Sequence, residues 1–266
     1  MSDLDPNMKI INPAKTKPAL SDDAKSDIAA LVARQNKAGT VLMKVISFAG
    51  GQVEDALKML PEGARTRLES GARDALVRSY DLAGRSRSVG VKGDRANKVL
   101  ASVSGALGGL GGLPTALAEL PVATTLIFRA VQDVAESLGE DPTAPETRVE
   151  CLRVFGSGGP GDADDGIDTT FVGARLSLTG PAVNKLIQSI APKFATLLGQ
   201  KLASQAVPVL GAAAGAGTNF AFTSYYVEMA QVHFGLRALA RIHDEADVLD
   251  EFHRQLAASK LPVIRN

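Results

Sequence analysis

The sequence predicts an all-α fold: a single multi-helix domain with two glycine-rich apolar helical hairpins packed in its core. Three observations lead there. Apolar residues recur at helical spacing along most of the chain from residue 22 to about residue 258. No run of alternating Val, Ile and Thr is long enough for a strand. The 266 residues, with 45 % hydrophobic content, suffice for a substantial single core.

Residues 1–21 mix prolines, lysines and aspartates without apolar periodicity and read as an extended or disordered leader. The domain is expected over 22–258, with 259–266 as a tail. Ser21 followed by Asp22 and Asp23 makes a helix start, and Ile28, Leu31 and Val32 supply its stripe. A second helical stretch over 39–59 is interrupted by glycines at 50 and 51. A third opens at Pro61, turns Leu68, Ala72, Ala75, Leu76 and Leu82 inward, and stops at Gly84.

Further along, the residues after Pro121 predict a helix with Thr124, Ile127, Phe128, Val131, Val134, Ala135 and Leu138 on one face. Thr125, Arg129 and Asp133 follow at intervals of four on another face, and Gly139 ends the helix. A short helix begins at Pro145, with Val149, Leu152 and Phe155 inward, and others are expected near Ile167, Pro181 and Pro192. A helix then continues to about Arg241, and 245–258 forms an amphipathic C-terminal helix.

Two segments, 101–118 and 202–227, carry no charge and are rich in glycine and alanine. Glycine at this density suits close backbone approach rather than an exposed helix. The second exceeds the roughly 20 residues of a membrane span, yet Gln205, Pro208, Asn219 and several hydroxyls favour a buried or interfacial hairpin.

Composition removes several function classes. The formal net charge is zero, so there is no global field to hold nucleic acid. The chain has no tryptophan and 5 % aromatics, too few for a stacking platform. One cysteine, Cys151, excludes an internal disulfide, and no signal-like apolar core follows Met1, which together suggest a cytoplasmic protein. The histidines at 233, 243 and 253 have no second ligand at helical spacing, and no HExxH or cysteine pair exists, so neither a metal nor a cofactor is expected.

Two constellations remain. Asn219, Thr223, Tyr226, His233 and Arg237 line one stripe of a helix, a polar line among apolar neighbours. Facing Glu119, Arg129 and Asp133, this stripe reads either as a buried hydrogen-bond network that fixes helix register or as the wall of a polar pocket. In the second case Glu119 or His233 serves as general base and Arg129 holds an anion. The other constellation is the segment 85–98, where Arg85, Arg87, Lys92, Arg95 and Lys98 stand against one acid, Asp94, beside an uncharged run. That pairing suits anionic lipid head groups.

The stretch "LPTALAELPVATTLIFRAVQDVAESLGEDPTAPETRVECLRVFGSGG" resembles the signature of the EcsC family, and "VPVLGAAAGAGTNFAFTSYYVEMAQVHFGLRALAR" resembles its C-terminal block. The likeness runs over roughly residues 40–242. It implies a bacterial protein linked to the membrane or to a membrane protein such as an ABC transporter, and it supplies no reaction. Glu119, Pro121, Thr124, Thr125, Arg129, Asp133, Glu140, Asp141, Arg148, Asn219, Tyr226, His233 and Arg237 match its motif. The leading expectation is therefore a non-enzymatic protein at the inner face of the membrane. A hydrolase-like enzyme and a self-associating scaffold are the alternatives.

Overall fold

The start predicted at Ser21 forms as expected: the Ala24 amide donates to Ser21 Oγ at 3.1 Å, satisfying one of the free donors of the first turn. This is the beginning of α1 (Asp22–Phe48), followed by α2 (Glu62–Ala83), α3 (Gly112–Ser137), α4 (Pro145–Phe155), α5 (Gly180–Gln205), α6 (Gly211–Ile242) and α7 (Glu245–Lys260). The computed structural model describes residues 17–48, 62–83, 112–156, 180–205 and 211–260. Among the described residues all regular structure is helical. The expectations that fall on 1–16, on the break at 50 and 51, on the basic segment 85–98, on 101–111 and on the helix near Ile167 lie outside them.

Two helices are longer than the sequence suggested. Pro121 and Pro192 were expected to open helices, but each lies inside one, in α3 and α5 respectively. An interior proline removes a backbone hydrogen bond and costs about 3 kcal/mol. Burial on both sides of each proline offsets this, through Leu120 and Ala123 in α3 and through Ile190, Ala191, Phe194 and Ala195 in α5. In both helices a threonine hydroxyl four residues on turns back to the proline carbonyl, Thr125 to Pro121 at 2.7 Å and Thr196 to Pro192 at 3.0 Å. Leu82 also departs from expectation: it sits in the last turn of α2 and is exposed rather than inward.

Residues 112–118 of the first glycine-rich run open α3 and residues 211–227 of the second open α6, and the two helices lie side by side in the same direction. Ala123 and Thr124 of α3 meet Asn219 and Phe222 of α6 at one end. Glu140, just beyond α3, meets Arg237 and Arg241 near the end of α6. α4 folds back along α3, and α5 runs against both long helices, with Phe194 beside Phe155 and Leu198 beside the 123/219 end. α2 covers the other side of α3, its Gly71 close to Leu120 and its Ser79 to Thr125.

α1 crosses α6 where Gly235 leaves room for Leu31: a Cβ at 235 would lie 2.8 Å from Leu31 Cδ2. α7 closes the outside of α1, with Gln255 donating to the Lys25 carbonyl. The residues before α1 lie along the end of α6, where Lys17 Nζ donates to the Ala240 carbonyl and His243 donates from Nδ1 to the Pro18 carbonyl.

Among the described residues the buried apolar side chains form one continuous cluster, to which each of α1 to α7 contributes. At its centre Phe155 stacks on Tyr226 (ring centroids 4.9 Å) and on Phe128 (6.0 Å) and meets the edge of Phe194 (5.3 Å). Offset and edge contacts of this kind add to simple area burial.

α3 stops by a Schellman motif. The Glu140 amide bonds to the Ala135 carbonyl and the Gly139 amide to the Glu136 carbonyl, with Gly139 at φ +85°. A Cβ here would have space, its nearest neighbour being Arg241 Nη2 at 3.5 Å, so the requirement for glycine is backbone conformation. Gly139→Ala is expected to cost about 1–2 kcal/mol, read as a lowered urea midpoint with unchanged m value. A shift below a few tenths of a kcal/mol would show that the turn relaxes.

Candidate functional site

Among the described residues, α4 explains where buried charged side chains gather. Between Val149 and Phe155 its only polar positions are Glu150 and Arg153, and all seven of these residues are buried. A helix enclosed on every side must satisfy its charges internally, because unpaired burial is costly. Glu150 accomplishes this with three partners around its carboxylate. His233 Nε2 lies 2.9 Å from its Oε2, while Arg153 Nη1 and Arg237 Nη1 lie 3.3 and 3.6 Å from its Oε1.

The network then runs outward. Arg237 Nε donates to Glu140 Oε1 at 3.1 Å, and Arg241 Nη1 donates to the same oxygen at 2.8 Å. Arg241 Nη2 donates to the Leu138 carbonyl at the C-terminus of α3, where the helix dipole favours a cation. Side-chain exposure rises along this path, from 2 % at His233 to 46 % at Arg241. One carboxylate thus ties α4 to α6 in the interior, and a second ties the α3 turn to α6 at the rim.

Burial alone would raise the Glu150 carboxyl. The hydrogen bond from His233 and the charges of His233, Arg237 and Arg153 outweigh it, so the group is held below the ordinary glutamate value. Breaking such a set at one member leaves uncompensated buried charge, whereas the intact set contributes register more than net stability.

The residues singled out from sequence lie in several places. His233 and Arg237 come together on Glu150. Asn219 and Thr223 line a crevice at the other end of α6, along with Ala123, Thr124, Ile127, Phe194, Leu198 and Phe222. Its free space of ≈ 10 Å³ is about that of one water. Tyr226 lies between these places, with its ring in the aromatic core. Thr125 reaches Ser79 of α2 at 3.3 Å. Arg148 lies over the Tyr80 ring at 4.6 Å and donates to the Tyr80 carbonyl.

Arg129 and Asp133 are half-buried on the flank of α3, and neither lines the crevice. The side chain of Glu119 and the five cations between 85 and 98 lie outside the described residues. The partner that closes on His233 is Glu150, which sequence reasoning passed over, together with Arg153 and Arg241. The signal that could have found them is the segment 149–155: two charges in a helix otherwise apolar on every side.

Chemically, an imidazole held by a carboxylate is the base-and-orienter half of many hydrolytic sites. Here the ring stands edge-on to Phe234 at 5.1 Å, is 2 % exposed, and does not line the crevice. Among the described residues no three His, Cys, Asp or Glu converge as a metal site would require. The arrangement is that of an all-helical domain whose long parallel helices are joined by a buried, mutually neutralised charge cluster. The chain belongs to the EcsC protein family, whose sequence profile matches residues 44–239. Most of the cluster falls within that span, and Arg241 and α7 lie beyond it. Comparison with curated proteins and with solved structures yields no match.

Proposed function

We propose that this chain is a non-enzymatic, peripheral protein that works at the cytoplasmic face of a membrane and engages anionic lipid. The observation that carries the non-enzymatic part is closure of the charged cluster. A general base must stand within reach of a substrate proton, and the Nε2 of His233 is already engaged by Glu150 while its ring is packed in the core. This favours a register-setting role for the polar stripe over a pocket wall.

The lipid part is supported by the juxtaposition in sequence of Arg85, Arg87, Lys92, Arg95 and Lys98 with the uncharged run that leads into α3. Cations near an anionic surface contribute about 1 kcal/mol each. Among the described residues no helix is long and apolar enough to cross a membrane, so the association proposed is with the surface.

Flotation with vesicles rich in phosphatidylglycerol at low salt provides the test. The full chain is expected to co-float, and neutralising the five cations together is expected to weaken partitioning by about two orders of magnitude or more. Absence of the protein from the floated fraction at low salt would falsify the lipid reading.

A further inference from the structure

Among the described residues, α3 and α6 are joined by ion pairs at one end, where Glu140 meets Arg237 and Arg241. At the other end the two helices share a crevice with α5, and the polar groups in it carry no charge. They are almost completely enclosed: Thr124 is 1 %, Thr223 1 % and Asn219 3 % exposed. Hydroxyls and amides buried to this degree require hydrogen-bond partners.

The two hydroxyls are satisfied unequally. Thr223 donates to the Asn219 carbonyl one turn back at 2.9 Å, which leaves the lone pairs of its oxygen to accept from elsewhere. Thr124 differs, because among the described residues its hydroxyl makes no hydrogen bond at all, although Thr125 beside it turns back to the Pro121 carbonyl. A donor and acceptor shut away from bulk solvent thus faces a space of ≈ 10 Å³, which is room for one water.

We infer that this crevice is a hydration site. One water donates to Thr223 Oγ1, shares a hydrogen bond with Thr124 Oγ1, and so bridges α3 to α6 beside the Asn219 amide. The ligand is neutral, because no ionisable side chain lines the space. It is not a metal ion, which needs a shell of oxygens that Ala123, Ile127, Phe194, Leu198 and Phe222 deny it. Water is small enough, and it can donate and accept in the same place. The polar stripe of α6 is therefore completed in two ways, by carboxylates at His233 and Arg237 and by solvent at Thr223.

Thr124→Val removes the hydroxyl at nearly constant shape, and the sign of its effect separates a wet crevice from a dry one. With the water present, the substitution breaks the bridge, and the melting temperature of the full chain is expected to fall by about 2–4 °C. In a dry crevice the same change replaces an unsatisfied buried hydroxyl with a methyl group, and the temperature rises instead. A crystal structure of the unsubstituted protein is expected to show a single density peak about 2.7–2.8 Å from both Thr124 Oγ1 and Thr223 Oγ1. Thr124→Ser, which keeps the hydroxyl, is expected to retain that peak, and Thr124→Val to lose it. A melting temperature that rises or stays unchanged in Thr124→Val overturns the assignment. So does a parent crystal in which the crevice is empty, is filled by density too large for water, or has the Thr124 hydroxyl bonded directly to a protein group.

Discussion

Replacing Glu150 with alanine is expected to lower the stability of this protein by about 3–5 kcal/mol, the range for removing one partner from a buried ion pair. The cost comes from what remains: Arg153 and Arg237 lose the carboxylate with which both form ion pairs, and His233 loses its hydrogen bond to it. For a domain of this size the thermal midpoint falls by roughly 10 °C or more. By contrast, Arg254→Ala, which removes a surface pairing with Glu251, is expected to leave the melting curve almost unchanged, because solvent screens the pair. Equal effects of the two substitutions would mean that the interior network contributes nothing special.

The same residue gives a pH dependence with a defined sign. Because the folded-state carboxyl of Glu150 is held below its ordinary value of 4.5, its stabilising contribution is complete above that value and is lost as pH falls through the lower, folded one. Glu150→Gln keeps the shape and cannot titrate. Chemical denaturation between pH 5 and the acid limit is expected to show a shallower loss of stability for this variant than for the parent.

The second large effect is expected at Phe155, which touches Phe128, Phe194 and Tyr226 and is fully buried. Phe155→Ala removes the ring from the junction of α3, α4, α5 and α6 and is expected to cost about 3–5 kcal/mol. Phe155→Leu keeps most of the volume and is expected to cost less than half of that. Near-ultraviolet dichroism, reporting the loss of fixed packing around Tyr226, accompanies the alanine variant. A cost below about 1.5 kcal/mol for alanine would show that the surrounding helices collapse into the space.

Periodicity made much of the helical content legible. The inward face expected for α3, from Thr124 through Ala135, is buried, and the polar stripe of α6 is turned into the protein from Asn219 to His233 as its apolar neighbours implied. Helix junctions were less accessible, because a proline read locally is a start signal, and only packing on both sides of Pro121 and Pro192 shows that the helices continue. The partner of the stripe was only faintly legible, as two charges in the otherwise apolar segment 149–155. Glu150 and Arg153 are three residues apart, a spacing that on an exposed helix denotes a solvated pair of little consequence. Their importance arises from the enclosure of α4 by α3, α5 and α6, a tertiary fact. The shared direction of α3 and α6 is likewise set by packing between segments nearly a hundred residues apart.

The seating of α1 has a consequence for biosynthesis. This helix lies on α6 and α7: Arg34 pairs with Glu228, 194 positions away, and Lys25 is reached by Gln255 over 230. At typical rates of translation that interval takes about 10–40 s. Throughout it Ile28, Val32 and Leu42, fully or nearly fully buried in the finished protein, emerge from the ribosome with their final neighbours not yet synthesised. The nascent chain therefore presents an unmatched apolar helix for chaperones to shield, and a message truncated before α6 would yield a product that cannot hide it.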